Sequence, residues 1–546
     1  MKKLTKELMV ILATASNYGT TCLEHAIPEL LAEQFQIAKN PKLEAPEYMR
    51  KFWKEYSKPL TGGQIAPKYS NRKRLKPGNF VFTSAQNNTD VHQKFFASLQ
   101  NFCKHKNAEL KIGKFTYNKS VFRNGVHDNP DEIYFAKELE PFFLNEDAKI
   151  QGLDIVWAGS FNILPTVQYP LNGMSSYTGQ HSMILPHAKI SMESVATQKG
   201  ESAKFMYSTG AITLRSYTDT KQGRLAEAAH NFGALYLECR NGTWFAYQIE
   251  TDESGEFQHL TEYFTPDTVN QLDVAAINWG DIHAEHAAKN GRENLFVCKQ
   301  ILNELNPSFQ FFHDTLDFQS RNHHNRNDPH FLARMAVQEQ TVMQDLNSVV
   351  EVMETYFEHD SKWIFVESNH DLALEAWLKD TKYDFRYDNP ENALLYFKLQ
   401  ALIYQSILEG DSINIMEQAL YSFVLSRLRE KKPNWNDCVF LNIDSSYTIT
   451  LQQIECGMHG HIGSNGSKGS PKQLTKLSKS INSGHTHSAS IYGAVYTSGV
   501  VGSDSLDMGY NLGASSWSHS HILTYANGFR TIITVKKSKV NGFWYW

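Results

Sequence analysis

The chain has 546 residues, 41% of them hydrophobic and 12% aromatic, which is more apolar material than one core organises and suggests roughly three to four domains. That balance excludes disordered and fibrous classes, and a formal net charge of -5 excludes a generally basic surface coating nucleic acid, leaving local patches or metal ions for any such contact. The six cysteines, Cys22, Cys103, Cys239, Cys298, Cys438 and Cys456, are far apart and form no Cys-x-x-Cys pair, which argues against a zinc knuckle or disulfide framework and for a reducing cytoplasm.

Residues 1–76 read as a helical N-terminal region. The apolar run Leu8 to Ala15 is short and is preceded by Lys6 and Glu7, so it reads as an amphipathic helix and not as a signal peptide. No stretch reaches the roughly 20 apolar residues a membrane span needs. The region ends in a basic, turn-rich linker from Lys68 to Lys76, followed by Pro77-Gly78. Residues 77–265 read as an α/β domain of unknown role: strands at Phe80–Thr83, Glu109–Ile112 and Asp154–Ala158, a helix over Asp90–Lys104, and a hairpin turning at Asn241-Gly242. Its histidines His181, His187 and His230 carry no motif.

Residues 266–546 repeat strand, polar loop and helix, and here the chemistry concentrates. Val342, Leu346, Val349, Val350, Met353 and Phe357 form one helical apolar stripe, which is core. A helical insertion is expected over about 372–432, with helices near Ala393–Leu408 and Ile415–Arg429. Five polar clusters follow in order, most of them after strand-like segments: Asn278 to His283, His313 to Asp317, Ser368 to Asp371, Gly457 to His461, and Ser483 to His487. Loops leaving the carboxyl ends of neighbouring strands converge on one crevice. Their Asp, Asn and His side chains are the hard and borderline donors a dinuclear site needs, suited to manganese and also to magnesium, iron or zinc. One carboxylate must bridge such ions, and Asp314 is the candidate.

The clusters GDIH at Gly280, HDTLD at His313, SNHD at Ser368, MHGH at Met458 and GHTH at Gly484 resemble, in order and spacing, the motifs of the calcineurin-like metallophosphoesterase superfamily. His313 and Ser368 stand where that family usually has Gly, which puts the local loop geometry in question. The resemblance implies an αββα sandwich for 266–546 and two divalent cations. Asp281, His283, Asp314 and His487 would hold one, and Asp314, Asn369, His459 and His485 the other. His370 would assist departure of the leaving group, with Asp371 orienting it. The choice of His459 over His461 rests on the family pattern alone. Asn322, His323, His324 and Lys468 are candidate phosphate contacts, with plain polar loops as the alternative.

The motifs specify reaction type more firmly than substrate. The extra N-terminal domains, the Lys68–Lys76 cluster and Lys536, Lys537 and Lys539 tilt the reading to DNA, as does the similarity of the Asn-His-Asp motif set to that of the repair-nuclease branch. The whole chain also resembles the pre-early host-DNA-degrading proteins of siphovirus coliphages, which implies a phage DNase working in the host cytoplasm through hydroxide attack on a phosphodiester. The alternatives are a phosphomonoesterase or protein phosphatase on the same core, and an inactive scaffold used for binding. No membrane partner is expected, and a homo-oligomer stays open.

Overall fold

The computed structural model describes residues 72–117, 133–321, 329–336, 341–357, 361–380, 382–410, 421–433, 438–450 and 452–546. The expected helices of residues 1–71, the first four residues of the basic linker (68–71), and Asn322, His323 and His324 lie outside the described residues. The fold is α/β, and residues 74–546 form one compact unit.

Three sheets organise that unit. The first has strand order 438–441, 362–366, 309–313, 276–278, 520–524, 530–534; its first four strands run parallel and the last two are antiparallel additions. Parallel strands covered on both faces need apolar residues on both. Accordingly Phe311, Ile364 and Val366 point into a core shared with Leu441, Ile449 and Ile454, while Phe312, Trp363 and Phe365 point to the helices. Those helices are Arg292–Leu305, Val342–Met353 and Asp371–Leu378. The stripe expected on the second of them is buried at Val342, Leu346, Val349, Val350 and Met353, and its first turn is closed by a capping box between Thr341 and Gln344.

A second sheet holds strands 243–251, 232–240, 79–86 and 108–115 in that order. The expected hairpin is present, with Asn241 and Gly242 both at positive φ (52 and 72) as its two-residue turn requires. This sheet lies alongside the first: Gln248 spans the seam, its amide donating to Thr531 Oγ1 (2.9 Å) and its side-chain oxygen accepting from the Ile532 amide (3.0 Å). The third, long sheet faces them and runs 147–150, 155–158, 182–185, 204–210, 187–195, 490–492, 495–497, 481–483, 454–455, 448–449. The pairing of 187–195 with 490–492 carries it across the boundary expected near residue 265. One core accordingly joins Phe82, Trp157 and Trp244 to Ile491, Ile522 and Ile532.

The segment Thr448 to Ile454 is not one alternating strand; it breaks into 448–449 and 454–455 where Thr450 and Gln453 turn through positive φ. In the expected insertion, helices span Pro390–Glu409 and Ser426–Lys431. No described helix is long and apolar enough to cross a membrane.

Candidate metal centre

The loops that follow strands 276–278, 309–313 and 362–366 of the first sheet meet those that follow 454–455 and 481–483 of the long sheet, so residues up to 206 positions apart converge. The convergence requires close backbone approach. A Cβ on Gly280 would meet the Val500 amide nitrogen at 2.7 Å, and one on Gly484 would overlap Asp281 Oδ1. The Asp281 backbone is pinned on both sides, its amide donating to Gly499 O (3.1 Å) and its carbonyl accepting from Val501 N (2.8 Å).

Asp281, His283, Asp314 and His487 are buried and offer ligand atoms that all lie within 4.8 Å of one another, a group that could hold a metal ion. His283 Nδ1 donates to Asp317 Oδ1 (2.9 Å), which leaves Nε2 as a lone pair. That lone pair faces His487 Nε2 at 3.0 Å, and His487 Nε2 is 3.1 Å from Asp281 Oδ2. Asp281 Oδ1 and Asp314 Oδ2 are buried, with His459 nitrogens 3.9 and 3.2 Å away as their ion-pair neighbours. Buried carboxylates and imidazoles that converge so closely are costly without a cation between them, so the group fits a metal.

A second set adjoins the first through Asp314. Asn369 Oδ1 is 2.9 Å from His459 Nε2 and 3.0 Å from His485 Nδ1, and His459 Nε2 is 3.2 Å from Asp314 Oδ2. His459, not His461, reaches these atoms; the His461 ring lies beside it, 5.2 Å between centroids, with both nitrogens unpartnered among the described residues. Four of the residues named from sequence, His283 (φ 46), Asp314 (φ 40), His485 (φ 74) and His487 (φ 56), hold left-handed backbone. Such strain in non-glycine residues costs of order 1 kcal/mol each and gathers at functional sites. His313 and Ser368 have ordinary backbone; the positive φ falls on Asp314, so the missing glycines distort nothing.

Burial opposes charge on Asp314, but His459 and His370 outweigh it and hold the carboxyl well below its usual range. Asp281 is lowered in the same way by His459 and His487. Burial holds His283 and His485 down to about 4, as neutral donors.

Asp371 does not orient His370. It opens the helix Asp371–Leu378, and its Oδ1 accepts the Leu316 amide (3.0 Å); burial and the Asp314 charge push its carboxyl well above the usual range. Asp317 faces His370 instead, Oδ1 to Nδ1 at 3.0 Å, and also takes His286 Nε2 at 3.3 Å through Oδ2. Burial works against a charged His370, yet Asp314 and Asp317 raise it to about 10. Sequence reasoning quoted Asp317 without a role and passed over three neighbours. Glu285 accepts the amides of Asp317 (2.8 Å) and Phe318 (2.7 Å), His286 contacts Asp317, and the Tyr510 hydroxyl lies 3.4 Å from Asp317 Oδ1. The helix that begins at Ala284 carries Glu285 and His286 to the site, a signal a helix after GDIH could have supplied. Tyr510 comes from a loop without any. Lys468 is exposed, on a loop bridged to Ile462, and no contact among the described residues joins it to the cluster.

No family model matches the chain, and no solved structure matches it. Protein A1 of Escherichia phage T5 is 40% identical to it over 537 residues, covering 96% of this chain and 92% of the phage protein. With an alignment that runs nearly end to end, the chain belongs to the family of that phage protein.

Proposed function

We propose that this protein is a metal-dependent phosphodiesterase that hydrolyses DNA, acting in the cytoplasm of a phage-infected host. The observation that carries the reading is the convergence of Asp281, His283, Asp314 and His487 on one buried point, adjoined through Asp314 by Asn369, His459 and His485. Each set would hold one divalent cation, and oxygen and imidazole donors without cysteine suit manganese first, with magnesium, iron or zinc as substitutes. Such cations supply positive charge against phosphate oxygens and bring the acidity of a water near neutrality.

The chain's own groups supply the rest. Asp314 belongs to both sets and fixes their spacing. Asp317 holds His283 in the tautomer that presents Nε2 and holds His370 through Nδ1. His370 Nε2 is then the atom that carries a proton for a departing alkoxide. Support for DNA over other phosphoesters comes from the likeness of the motifs to those of repair nucleases and from Lys536, Lys537 and Lys539; the phage relative supports the infected-host setting.

The test is digestion of linear and circular duplex DNA with manganese, comparing wild type with Asp314→Ala and His370→Ala. Loss of DNA in the wild type alone supports the reading, and the ratio of linear to circular cleavage reports whether ends are needed. Intact DNA beside hydrolysis of an aryl phosphate monoester would instead make the protein a phosphatase. Inertness toward both would leave a binding scaffold.

A further inference from the structure

Beside the metal centre lies a cavity of about 790 Å³, within the range of roughly 300–1,000 Å³ in which whole ligands bind. It is too large for inorganic phosphate alone. Its walls include Lys149, Lys199, Lys536, Lys537 and Lys539. Four carboxylates also line it, and each is engaged by the protein. Asp154 accepts Trp244 Nε1 (2.6 Å), Asp504 accepts the Asn294 amide (2.9 Å), Asp507 pairs with Lys199 (3.2 Å), and Glu201 accepts the Gln198 amide (3.4 Å).

Lys536 is the informative residue. Its ammonium sits 3.1 Å from the centroid of the Trp244 ring and 5.3 Å from that of Phe205. Its one hydrogen bond among the described residues is to Trp244 O (2.9 Å), so two of its three donors remain to be used. Burial brings its ammonium down to about 7, with Asp154 the opposing charge. An ammonium held against aromatic rings, with Asp154 nearby but no carboxylate in ion-pair contact among the described residues, is stabilised by an incoming anion. One wall of the cavity reaches the metal centre through a single side chain. Trp517 lines it and packs edge-on against His487, with ring centroids 4.2 Å apart. Trp544, half-buried like Trp517, lines it as well.

We propose that this cavity binds a single-stranded segment of the DNA substrate next to the scissile phosphate, with the lysines on its phosphates and the indoles against its bases. The inference rests on the hydrolase reading above and gives its substrate an unpaired strand. Indoles can stack only on bases released from a duplex, and stacking with lysine contacts is the general means of holding single strands.

The test is fluorescence anisotropy of a fluorescein-labelled oligothymidylate with the full-length protein in EDTA, where no turnover occurs. The exposed pair Lys199→Glu with Lys539→Glu, and separately Lys536→Met, should each weaken binding about tenfold or more. Both should flatten the salt dependence, by about 0.7 in log–log slope for each phosphate no longer neutralised, with the melting temperature of each variant kept at the wild-type value. Unchanged affinity and salt slope in both variants would overturn the proposal, as would equal or tighter binding of a blunt duplex. Cleavage with manganese is measured in parallel. Lysine-dependent binding without cleavage would sink the hydrolase reading and leave the strand site standing; cleavage with lysine-independent binding would do the reverse.

Discussion

Asp317→Asn separates proton donation from metal binding. The wild-type carboxylate is buried and accepts from His283 Nδ1 at 2.9 Å and from His370 Nδ1 at 3.0 Å, both through Oδ1. Hydrogen bonds to a charged group contribute about 1.5–3 kcal/mol each. An asparagine keeps the shape, loses the charge, and in one of its two orientations sets an amide N–H against an imidazole N–H. His370 then loses one of the two carboxylates that raise it to about 10, and its Nε2 proton is no longer held ready. Loss of a positioned acid costs about 10²–10⁴ in rate, and loss of a carboxylate behind a ligating imidazole costs about 10–100-fold in metal affinity. At saturating manganese the variant should therefore be slowed at least a hundredfold on DNA, whose alkoxide leaving group needs the proton. It should be slowed only a few-fold on bis(p-nitrophenyl) phosphate, whose leaving group does not. Equal losses on the two substrates at saturating metal would refute the assigned role.

Three further outcomes follow from the packing. Gly484→Ala places a methyl where Asp281 Oδ1 sits, so it should abolish manganese binding by calorimetry while the far-UV spectrum stays that of wild type. Trp279→Ala removes a fully buried indole packed on Tyr356 and His521, at 4.9 Å from each ring, and should cost about 3–5 kcal/mol in denaturant titration. His187 is buried away from the metal centre, and burial pushes its imidazole down to about 4. Because its folded value lies below the unfolded value of about 6.5, the stability it contributes is full above pH 6.5 and is lost as pH falls toward 4. At about 1.4 kcal/mol per unit this amounts to roughly 3 kcal/mol. His187→Gln should flatten that acid limb of stability against pH, and an unchanged slope would contradict the reasoning.

The residues that converge in the candidate metal centre could be picked out in sequence because each sits within a few residues of a strand end, where side-chain type and spacing survive in the one-dimensional pattern. Asp371 was misread because adjacency in sequence suggested contact, whereas a residue that opens a helix turns its side chain to the neighbouring loop amide of Leu316. Asp317, three residues beyond Asp314, reaches His370 only once the 309–313 and 362–366 strands lie side by side. Tyr510 and Trp517 carry no periodic signal, since they ride on a loop placed by its two ends. The long sheet was hidden for another reason. Its joining pair, Ser490 with Glu193 and Ile491 with Met192, links residues nearly 300 positions apart, and neither strand differs in pattern from one that closes a separate domain. The hairpin at Asn241-Gly242 was read correctly because its register is set locally by the turn.

The most direct test of the account is an anomalous difference map from crystals grown with manganese. Two peaks are expected, one among Asp281, His283 and His487 and one among Asn369, His459 and His485, with Asp314 between them. The same map from Asp314→Ala should lose at least one. A single peak, or none, with the wild-type side chains dispersed, would contradict the dinuclear centre on which the proposed hydrolysis depends.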